Sequence, residues 1–412
     1  MSVNGAKYVV LLGDGMADYP LPELGGKTPL QAANKKNMDG IAINGITGSV
    51  KTIPDGMPPG SDVANLSVMG YDPAKYYSGR SPFEALSIGI KFGIDDASYR
   101  CNLVTLSDET EYESRTMIDY SSDEISTAEG KELLEYVGNR LGTDQIRFYS
   151  GISYRHCVIW KNGPVLFEPS PLTPPHDILG KKIGEYLPRD PNGSILLGLM
   201  KQSVKYLENH PVNISRRARG LKPANSIWIW GEGRKPSIPL FSEKYGISGS
   251  VISAVDLVKG IGICAGLNAV DVPGATGNLS TNFKGKAEKA LSELDKGNDF
   301  AYIHIEAPDE CGHRNEISNK VKAIELIDSL TLATLLEGLE KYEKYSILLM
   351  PDHPTPISLR THTSEAVPFA VYSKGSSRKS GTTGFDEANA ISTGLYIEHG
   401  HELMSMFLGN AF

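Results

Sequence analysis

The fold class is decided by the stretch Lys7-Tyr-Val-Val-Leu-Leu-Gly-Asp-Gly15. Residues 7–12 form a continuous apolar run rich in β-forming residues, which is typical of a parallel strand covered on both faces. The run ends at Gly13-Asp14-Gly15, and open α/β sheets place their chemistry beyond the carboxyl ends of such strands. The sequence therefore predicts an α/β protein with Asp14 at the functional edge of its sheet.

Two later segments repeat this arrangement of a buried strand followed by polar residues. The strand pattern at 299–305 leads into Glu306-Ala-Pro-Asp-Glu-Cys-Gly-His313, and the one at 346–350 leads into Pro351-Asp-His-Pro-Thr-Pro356, with Arg360-Thr-His-Thr363 shortly after. Motifs this short often match by chance. Taken together, they form a carboxylate–imidazole set that is large enough for two divalent ions and has little structural use. Its members are Asp14, Asp309, His313, Asp352, His353 and His362.

A serine in the segment Pro58-Pro-Gly-Ser61 is the candidate nucleophile. Pro and Gly stop regular structure before it, and residues 63–69 can form a short helix, so Ser61 is expected at a helix start. A serine there can simply cap the helix. It can also attack phosphorus, but only if something activates its hydroxyl. A two-metal centre supplies that activation and neutralises a phosphoryl group in transfer.

Composition limits the other possibilities. The chain has 412 residues, 40% of them hydrophobic, which favours two globular domains. Its formal net charge of -8 argues against nucleic acid as a partner, because duplex binding needs basic residues. The apolar run at 8–12 is too short for a signal peptide or membrane span. The four cysteines show no metal-binding spacing, which favours reduced thiols and a cytoplasmic location; they are Cys101, Cys157, Cys264 and Cys311.

The middle of the chain has a different pattern of expected strands and helices and is predicted to be an inserted domain. Strands are expected at 100–106, 116–120, 145–150 and 154–160, and helices at 127–141 and 194–208. The first of these helices has the capping signature Ser126-Thr-Ala-Glu129. Strand-rich alternation returns near Ser226-Ile-Trp-Ile-Trp-Gly231. We therefore predict a doubly wound α/β metal domain built from 1–96 and 223–412, and a smaller α+β insert at 97–222.

The same motifs resemble a known family. The metal-ligand segments, together with Pro59-Gly-Ser-Asp-Val-Ala-Asn-Leu-Ser67, are similar to those of the archaeal-type cofactor-independent phosphoglycerate mutases, which belong to the alkaline phosphatase superfamily. Tyr71-Asp-Pro73 and Gly79-Arg-Ser-Pro-Phe-Glu-Ala85 also fit, so the resemblance covers nearly the whole chain. It implies an alkaline-phosphatase-like fold in which Ser61 is the phosphorylated nucleophile.

The resemblance also assigns the ligands to two ions. One ion is held by Asp14, Ser61, Asp352 and His353, and the other by Asp309, His313 and His362. Manganese is the expected metal; zinc, cobalt and magnesium stay open, although three histidines argue against magnesium at both sites. No 2,3-bisphosphoglycerate is required by this family.

Basic residues are the candidates for binding the substrate. In the insert, Arg155 and His156 come first, and Arg216 and Arg217 form a second basic cluster. Lys259 is the candidate from the metal domain. Ordinary surface charge is the alternative interpretation for each of them.

The resemblance implies an isomerase that interconverts 2-phosphoglycerate and 3-phosphoglycerate, a step of glycolysis and gluconeogenesis, through phosphoserine. A metal-dependent phosphatase or phosphotransferase of the same superfamily, acting on another small phosphorylated metabolite, is the nearest alternative. An inactive binding protein is a third, but all seven metal-site positions hold competent residue types. The expected partner is a small-molecule phosphoglycerate, with no nucleic acid and no membrane. The sequence leaves the oligomeric state open.

Overall fold

The computed structural model describes residues 5–164, 172–409 and 411–412. The chain divides into two compact units, one made of Met1–Tyr77 and Ile238–Phe412 and the other of Ser78–Ser237. These boundaries differ from the predicted ones at 96/97 and 222/223.

The secondary structure is numbered here in chain order. The strands are β1 (Lys7–Gly13), β2 (Ile46–Val50), β3 (Ala97–Leu106), β4 (Met117–Asp119), β5 (Ile146–Tyr149), β6 (Arg155–Trp160), β7 (Ser226–Arg234), β8 (Gly249–Ile252), β9 (Asn268–Val270), β10 (Phe300–Ile305), β11 (Tyr345–Met350), β12 (Val367–Ser373) and β13 (Tyr396–Ile397). The α-helices are α1 (Pro29–Ala32), α2 (Lys36–Asn44), α3 (Ser61–Val68), α4 (Pro73–Tyr76), α5 (Ser81–Ser87), α6 (Thr127–Leu141), α7 (Pro191–Leu207), α8 (Pro211–Ala218), α9 (Phe241–Tyr245), α10 (Asp256–Cys264), α11 (Phe283–Asp295), α12 (Ala307–His313), α13 (Ile317–Leu326), α14 (Ala333–Leu339), α15 (Glu387–Ser392) and α16 (Leu403–Leu408).

The first unit is built on an eight-stranded sheet in the order β13-β2-β12-β11-β1-β10-β8-β9. β1 lies near its centre and pairs in parallel with β10 and β11. Val9 and Leu11 pack into a core with residues of α11, α13 and α14 on one face. On the other face Tyr8 meets Phe407 of α16 edge to face, with ring centroids 5.6 Å apart. β1 is therefore covered on both faces, and the predicted α/β class is confirmed.

The pairing of these strands determines where the functional loops lie. Because β1, β10 and β11 are parallel neighbours, their carboxyl ends meet at one edge of the sheet. The backbone N–H of Asp14 extends this pairing by donating to the carbonyl of Ile305 at 2.9 Å. The segments that follow the three strands are thus brought side by side.

The second unit contains an antiparallel sheet centred on β3. This long strand pairs with β6 and β7 and, near its end, with β4, while β5 pairs with β6. The prediction that residues 226–231 return to the first domain is wrong, because β7 pairs with β3, for example Ile229 with Cys101. A run rich in β-formers predicts a strand but does not specify which sheet the strand joins.

Local capping explains where the long helices of this unit begin. α6 has the predicted bounds, and its N-cap Ser126 accepts a hydrogen bond from the N–H of Glu129. α7 begins at Pro191, three residues before the predicted start, because Asp190 caps it and Pro191 occupies its first turn. Among the described helices, none is both long enough and apolar enough to cross a membrane.

Candidate metal centre

The predicted ligands lie on loops at one edge of the first unit's sheet. Asp14 directly follows β1, and Asp352 and His353 follow β11 after one intervening residue. Asp309 and His313 belong to α12, which begins one residue after the end of β10. Their i, i+4 spacing places both side chains on the same face of that helix. The structure therefore brings together five residues that lie far apart in the sequence.

His362 completes a compact group with Asp309 and His313. The Nε2 atoms of the two histidines lie 2.9 Å apart, and they are 3.2 and 3.4 Å from the carboxylate oxygens of Asp309. The Nδ1 atom of His313 lies 3.0 Å from the carbonyl oxygen of Arg360. A carbonyl only accepts, so Nδ1 carries the hydrogen and the Nε2 lone pair faces the group. This is the ligand geometry expected around a cation.

A second group surrounds the Nε2 atom of His353. This nitrogen atom lies 3.1 Å from Ser61 Oγ and 3.5 Å from both Asp14 Oδ1 and Asp352 Oδ2. Asp14 Oδ1 is buried and has no hydrogen-bond partner among the described residues. A buried carboxylate oxygen without a partner is costly unless a cation completes its surroundings. The four residues thus fit one divalent ion.

The electrostatics of the cluster point the same way. Burial, followed by repulsion from Asp352 and Asp309, raises the pKa of Asp14 well above its usual value. Burial would also raise the pKa of Asp309, but hydrogen bonds from His313 and His362 outweigh it and hold that pKa well below its usual value. Three carboxylates in so small a buried space need positive charge nearby. Two divalent cations would provide it.

Ser61 is the first residue of α3, so the predicted helix start is confirmed. The N-cap position belongs to Gly60, and the Ser61 hydroxyl is directed instead to His353. The interpretation of Ser61 as a simple helix cap is therefore wrong.

Asn65 supports this group and was missed at the sequence level. It lies one helical turn after Ser61, and its amide donates to the Ser61 carbonyl at 2.9 Å and to Asp352 Oδ2 at 2.7 Å. The Tyr302 hydroxyl donates to the amide oxygen of Asn65 at 2.7 Å, which fixes the orientation of the amide. The spacing Ser61-x-x-x-Asn65 was the available signal, since residues four apart share a helix face.

A buried ion pair beneath the centre was also missed. Lys320 Nζ lies 2.6 Å from Asp18 Oδ2 and donates to the Thr355 carbonyl at 2.8 Å, and its side chain is fully buried. The Thr355 hydroxyl in turn donates to Asp309. Lys320 therefore ties the loop after β1 to the loop after β11. Nothing in the local sequence distinguishes this lysine from a surface one.

Two of the predicted substrate-binding residues are buried within the second unit. His156 is only 5% exposed, its Nδ1 accepts from the N–H of Gly151 at 3.1 Å, and burial lowers its pKa to about 3. Arg216 is 2% exposed and donates to Glu129 Oε2 at 2.7 Å and to the carbonyls of Ser122 and Lys222. Both side chains are enclosed within the second unit, Arg216 with its Nε, Nη1 and Nη2 all donating and His156 with its Nε2 buried and without a partner among the described residues. Because neither reaches the surface, we correct both assignments to structural roles.

The other predicted substrate-binding residues are more accessible. Arg217 is exposed and donates to the Glu208 carbonyl at 2.6 Å. Lys259, on α10 of the first unit, pairs with Asp271 at 2.5 Å. Arg155 is exposed at the start of β6 and lies over the ring of Tyr154, 5.3 Å from its centroid.

Arg155 belongs to a guanidinium cluster within the second unit. Arg80 and Arg100 each place Nε 2.8 Å from a carboxylate oxygen of Glu84. The nearby charge of Arg155 also helps to lower the pKa of Glu84, although burial opposes the shift. Two guanidinium groups thus hold one carboxylate, and a third acts on it through its charge. Arg80 and Glu84 lie in the segment Gly79–Ala85 that fits the resemblance, but no role was predicted for them.

An α/β sheet with a serine and this carboxylate–imidazole cluster at its edge is the arrangement that the resemblance to the phosphoglycerate mutases predicted. A family profile described as 2,3-bisphosphoglycerate-independent phosphoglycerate mutase matches residues 42–213. A Geobacter sulfurreducens protein named probable 2,3-bisphosphoglycerate-independent phosphoglycerate mutase is 50% identical over 98% of this chain and 99% of its own. The chain therefore belongs to this family.

Two further comparisons agree. A Methanosarcina acetivorans protein named 2,3-bisphosphoglycerate-independent phosphoglycerate mutase is 48% identical over 98% of this chain and 99% of its own. The solved structure of the PH0037 protein from Pyrococcus horikoshii has a TM-score of 0.82 at 30% identity, covering 99% of this chain and 98% of that one. The resemblance drawn from the motifs is confirmed. Members of the family are isomerases that interconvert 2-phosphoglycerate and 3-phosphoglycerate and need no 2,3-bisphosphoglycerate.

Proposed function

We propose that this protein performs the isomerisation of its family through phosphorylation of Ser61 at a two-metal centre. The observation that carries the proposal is the position of Ser61 Oγ, 3.1 Å from His353 Nε2 and next to two carboxylates that lack counter-charge. A serine at a helix start with cation ligands around its oxygen is placed to attack phosphorus.

The ligand assignment follows the two groups in the structure. Asp14, Ser61, Asp352 and His353 would hold one ion, and Asp309, His313 and His362 the other. When bound, the two ions supply positive charge that lowers the cost of ionising the serine and of moving a phosphoryl group. We propose manganese at both positions; the carboxylate donors suit it, and the imidazoles leave zinc and cobalt as alternatives.

The chain's own residues account for the course of the reaction. Ser61 Oγ forms a bond to phosphorus as the bond to the substrate oxygen breaks, and the glycerate oxygen gains the proton that the serine gives up. The glycerate then turns so that its other hydroxyl faces phospho-Ser61. That hydroxyl takes the phosphoryl group, its proton returns to Ser61, and no phosphate is released.

We propose that Arg100 and Arg155 hold the carboxylate of the glycerate, with Arg80 adding positive charge. Guanidinium groups bind carboxylates through paired hydrogen bonds. The stacking of Arg100 over Trp230, 4.1 Å from the ring centroid, holds its plane in place before substrate arrives. This replaces His156 and Arg216 as the predicted carboxylate site.

A phosphatase or a phosphotransferase with another acceptor would use the same serine. Release of inorganic phosphate separates the alternatives, because a mutase retains the group. A coupled enolase assay measures 2-phosphoglycerate formed from 3-phosphoglycerate, and phosphate is measured in the same sample. Steady phosphate release without 2-phosphoglycerate would contradict the proposal.

Mass spectrometry tests the intermediate directly. Brief exposure of the manganese-loaded protein to 3-phosphoglycerate should add one phosphoryl group, mapped to Ser61. Ser67→Ala is a matched control, because Ser67 lies on the same helix and its buried hydroxyl has no partner among the described residues. This variant should be labelled and active like the wild type.

We also propose a cytoplasmic location, where glycolysis and gluconeogenesis take place. All four cysteines are buried thiols, which suits a reducing compartment.

A further inference from the structure

The strand β10 carries two polar residues on one face beneath the candidate metal centre. Tyr302 and His304 are two positions apart, so their side chains point to the same side of the sheet, and both are fully buried. Neither belongs to the ligand set proposed above. Buried polar groups of this size normally have a defined partner.

His304 contacts Asp14 on the side away from His353. Its Nε2 lies 3.0 Å from Asp14 Oδ2, whereas Asp14 Oδ1 faces His353 Nε2. The two oxygens of this carboxylate are therefore divided. One faces the proposed first ion, and the other is held by His304.

The hydrogen positions on His304 follow from its contact with the carboxylate. A carboxylate oxygen accepts hydrogen bonds, so Nε2 carries the ring hydrogen and donates to Asp14 Oδ2. Nδ1 then accepts from the hydroxyl of Ser253, whose Oγ lies 3.2 Å away and also accepts from the N–H of Val255 at 2.9 Å. A nitrogen that carries a hydrogen is not available to bind a cation.

Tyr302 acts on the other carboxylate of the same ion through Asn65. Its hydroxyl fixes the Asn65 amide oxygen, so the amide nitrogen is directed to Asp352 Oδ2 at 2.7 Å. Both carboxylates proposed for the first ion are thus oriented from one face of one strand.

We propose that Tyr302 and His304 are positioning residues for the first ion, which orient Asp352 and Asp14 without binding the ion themselves. This inference rests on the metal centre of the proposed function. Partners of this kind typically change metal affinity by about 10–100-fold when they are removed.

The test is a calorimetric titration of the metal-free protein and its variants with manganese chloride. The wild type should bind two equivalents. His304→Leu should weaken one of them by about 10–100-fold and leave the other unchanged. His304→Gln should recover most of the loss, because a glutamine amide can donate to Asp14 from nearly the same place. Tyr302→Phe should weaken the same equivalent by a smaller factor.

Ile303→Val is the matched control, since Ile303 is equally buried on the opposite face of β10 and packs in the core there. It should bind manganese like the wild type. Circular dichroism of each metal-free variant checks folding. If His304→Leu does not fold, Ser253→Ala and His304→Gln decide, because both leave a polar residue at 304.

The possible outcomes separate this inference from the proposed function. A wild type that binds no manganese contradicts the metal centre itself. Wild-type binding together with unchanged affinity in His304→Leu and Tyr302→Phe overturns only the positioning role. If the wild type bound a third equivalent of manganese and His304→Leu lost it, His304 would be a direct ligand together with Asp14 and Asp352. That result would also overturn the positioning role.

Discussion

The two charged clusters of this protein differ in sign, burial and construction. In the first unit three buried carboxylates lie among histidines, so the cluster is rich in atoms that bind cations. In the second unit Arg80 and Arg100 pair with the single carboxylate of Glu84, and the charge of Arg155 also acts on it. The first is suited to cations and the second to an anionic group of a substrate. A phosphoryl group is suited to the first kind of cluster when cations are bound, and a carboxylate is suited to the second.

The clusters also differ in what holds them. The carboxylates and histidines follow strands that end at one sheet edge, so the backbone fixes their positions. The guanidinium groups reach out from α5, β3 and β6 on long side chains, and their order comes from Glu84 and from stacking on aromatic rings. Changes in the first cluster should therefore stop the chemistry, and changes in the second should alter its outcome.

Ser61→Ala should have the largest effect. The change removes the attacking oxygen, so formation of 2-phosphoglycerate should fall by on the order of 10⁴-fold or more. The fold should survive, because the Ser61 side chain caps nothing. The coupled enolase assay measures the rate, and circular dichroism checks the fold. Activity near that of the wild type would place the nucleophile elsewhere.

Arg155→Ala tests the second cluster. A charge-assisted hydrogen bond to a carboxylate is worth about 1.5–3 kcal/mol, so mutase activity should fall by about tenfold to a hundredfold. The serine is untouched, and glycerate that is held less firmly should escape and leave phospho-Ser61 open to water. Phosphate release should therefore rise as a fraction of turnover.

The matched control for Arg155→Ala is Arg217→Ala, an exposed arginine of the same unit that donates to the Glu208 carbonyl. It should keep wild-type rates in both assays. If Arg155→Ala behaves like this control, the guanidinium cluster does not bind the carboxylate.

The sequence predicted the first cluster well because its members follow recognisable strands. It failed where a partner lies far along the chain. Asn65 meets Asp352 across 287 positions, and Lys320 meets Asp18 across 302. No local pattern marks such pairs. The sheet that β7 joins is likewise decided by pairing with a strand more than a hundred residues away.

The basic residues also show what the sequence could not predict, namely which of two neighbouring side chains is buried. Arg155 and His156 are adjacent in β6, so one points away from the face that buries the other. Sequence chemistry treats them as equals, whereas the pleat of the strand exposes Arg155 and buries His156. Arg216 looks like its neighbour Arg217 in the sequence, but only Arg216 faces Glu129.

Arg216→Leu should therefore change stability and leave substrate binding unchanged. Removing the buried guanidinium leaves the carbonyls of Ser122 and Lys222 without this donor and leaves the Glu129 carboxylate with only Arg219 and Ser126 among the described residues. The cost should be about 3 kcal/mol in the free energy of unfolding. Urea denaturation measures this cost against Arg217→Ala, which should lie within about 0.5 kcal/mol of the wild type. A stable Arg216→Leu protein with a raised KM would restore Arg216 as a substrate-binding residue.

The smallest predicted effect concerns the pH dependence of the metal-free protein. The hydrogen bond with Asp309 raises the pKa of His313 to about 9, above its ordinary value of 6.5. A raised histidine pKa means that the protonated form stabilises the fold. That stabilisation is fully present below about pH 6.5 and is lost as the pH rises through about 9. Because His313 is about one-third exposed, we expect the Tm to fall by only about 1–3 °C over this interval.

His313→Gln isolates this contribution from other titrating groups. The difference in Tm between wild type and variant, both treated with a chelator, should shrink between pH 6.5 and 9.5. In the metal-loaded wild type the change of Tm with pH should have the opposite sign. Ligation needs neutral imidazoles, so metal occupancy should fall on acidification through about pH 6. A difference that stays constant with pH in the metal-free proteins would contradict the pairing of His313 with Asp309. If Tm changes with pH in the same way with and without manganese, the result would instead count against His313 as a ligand.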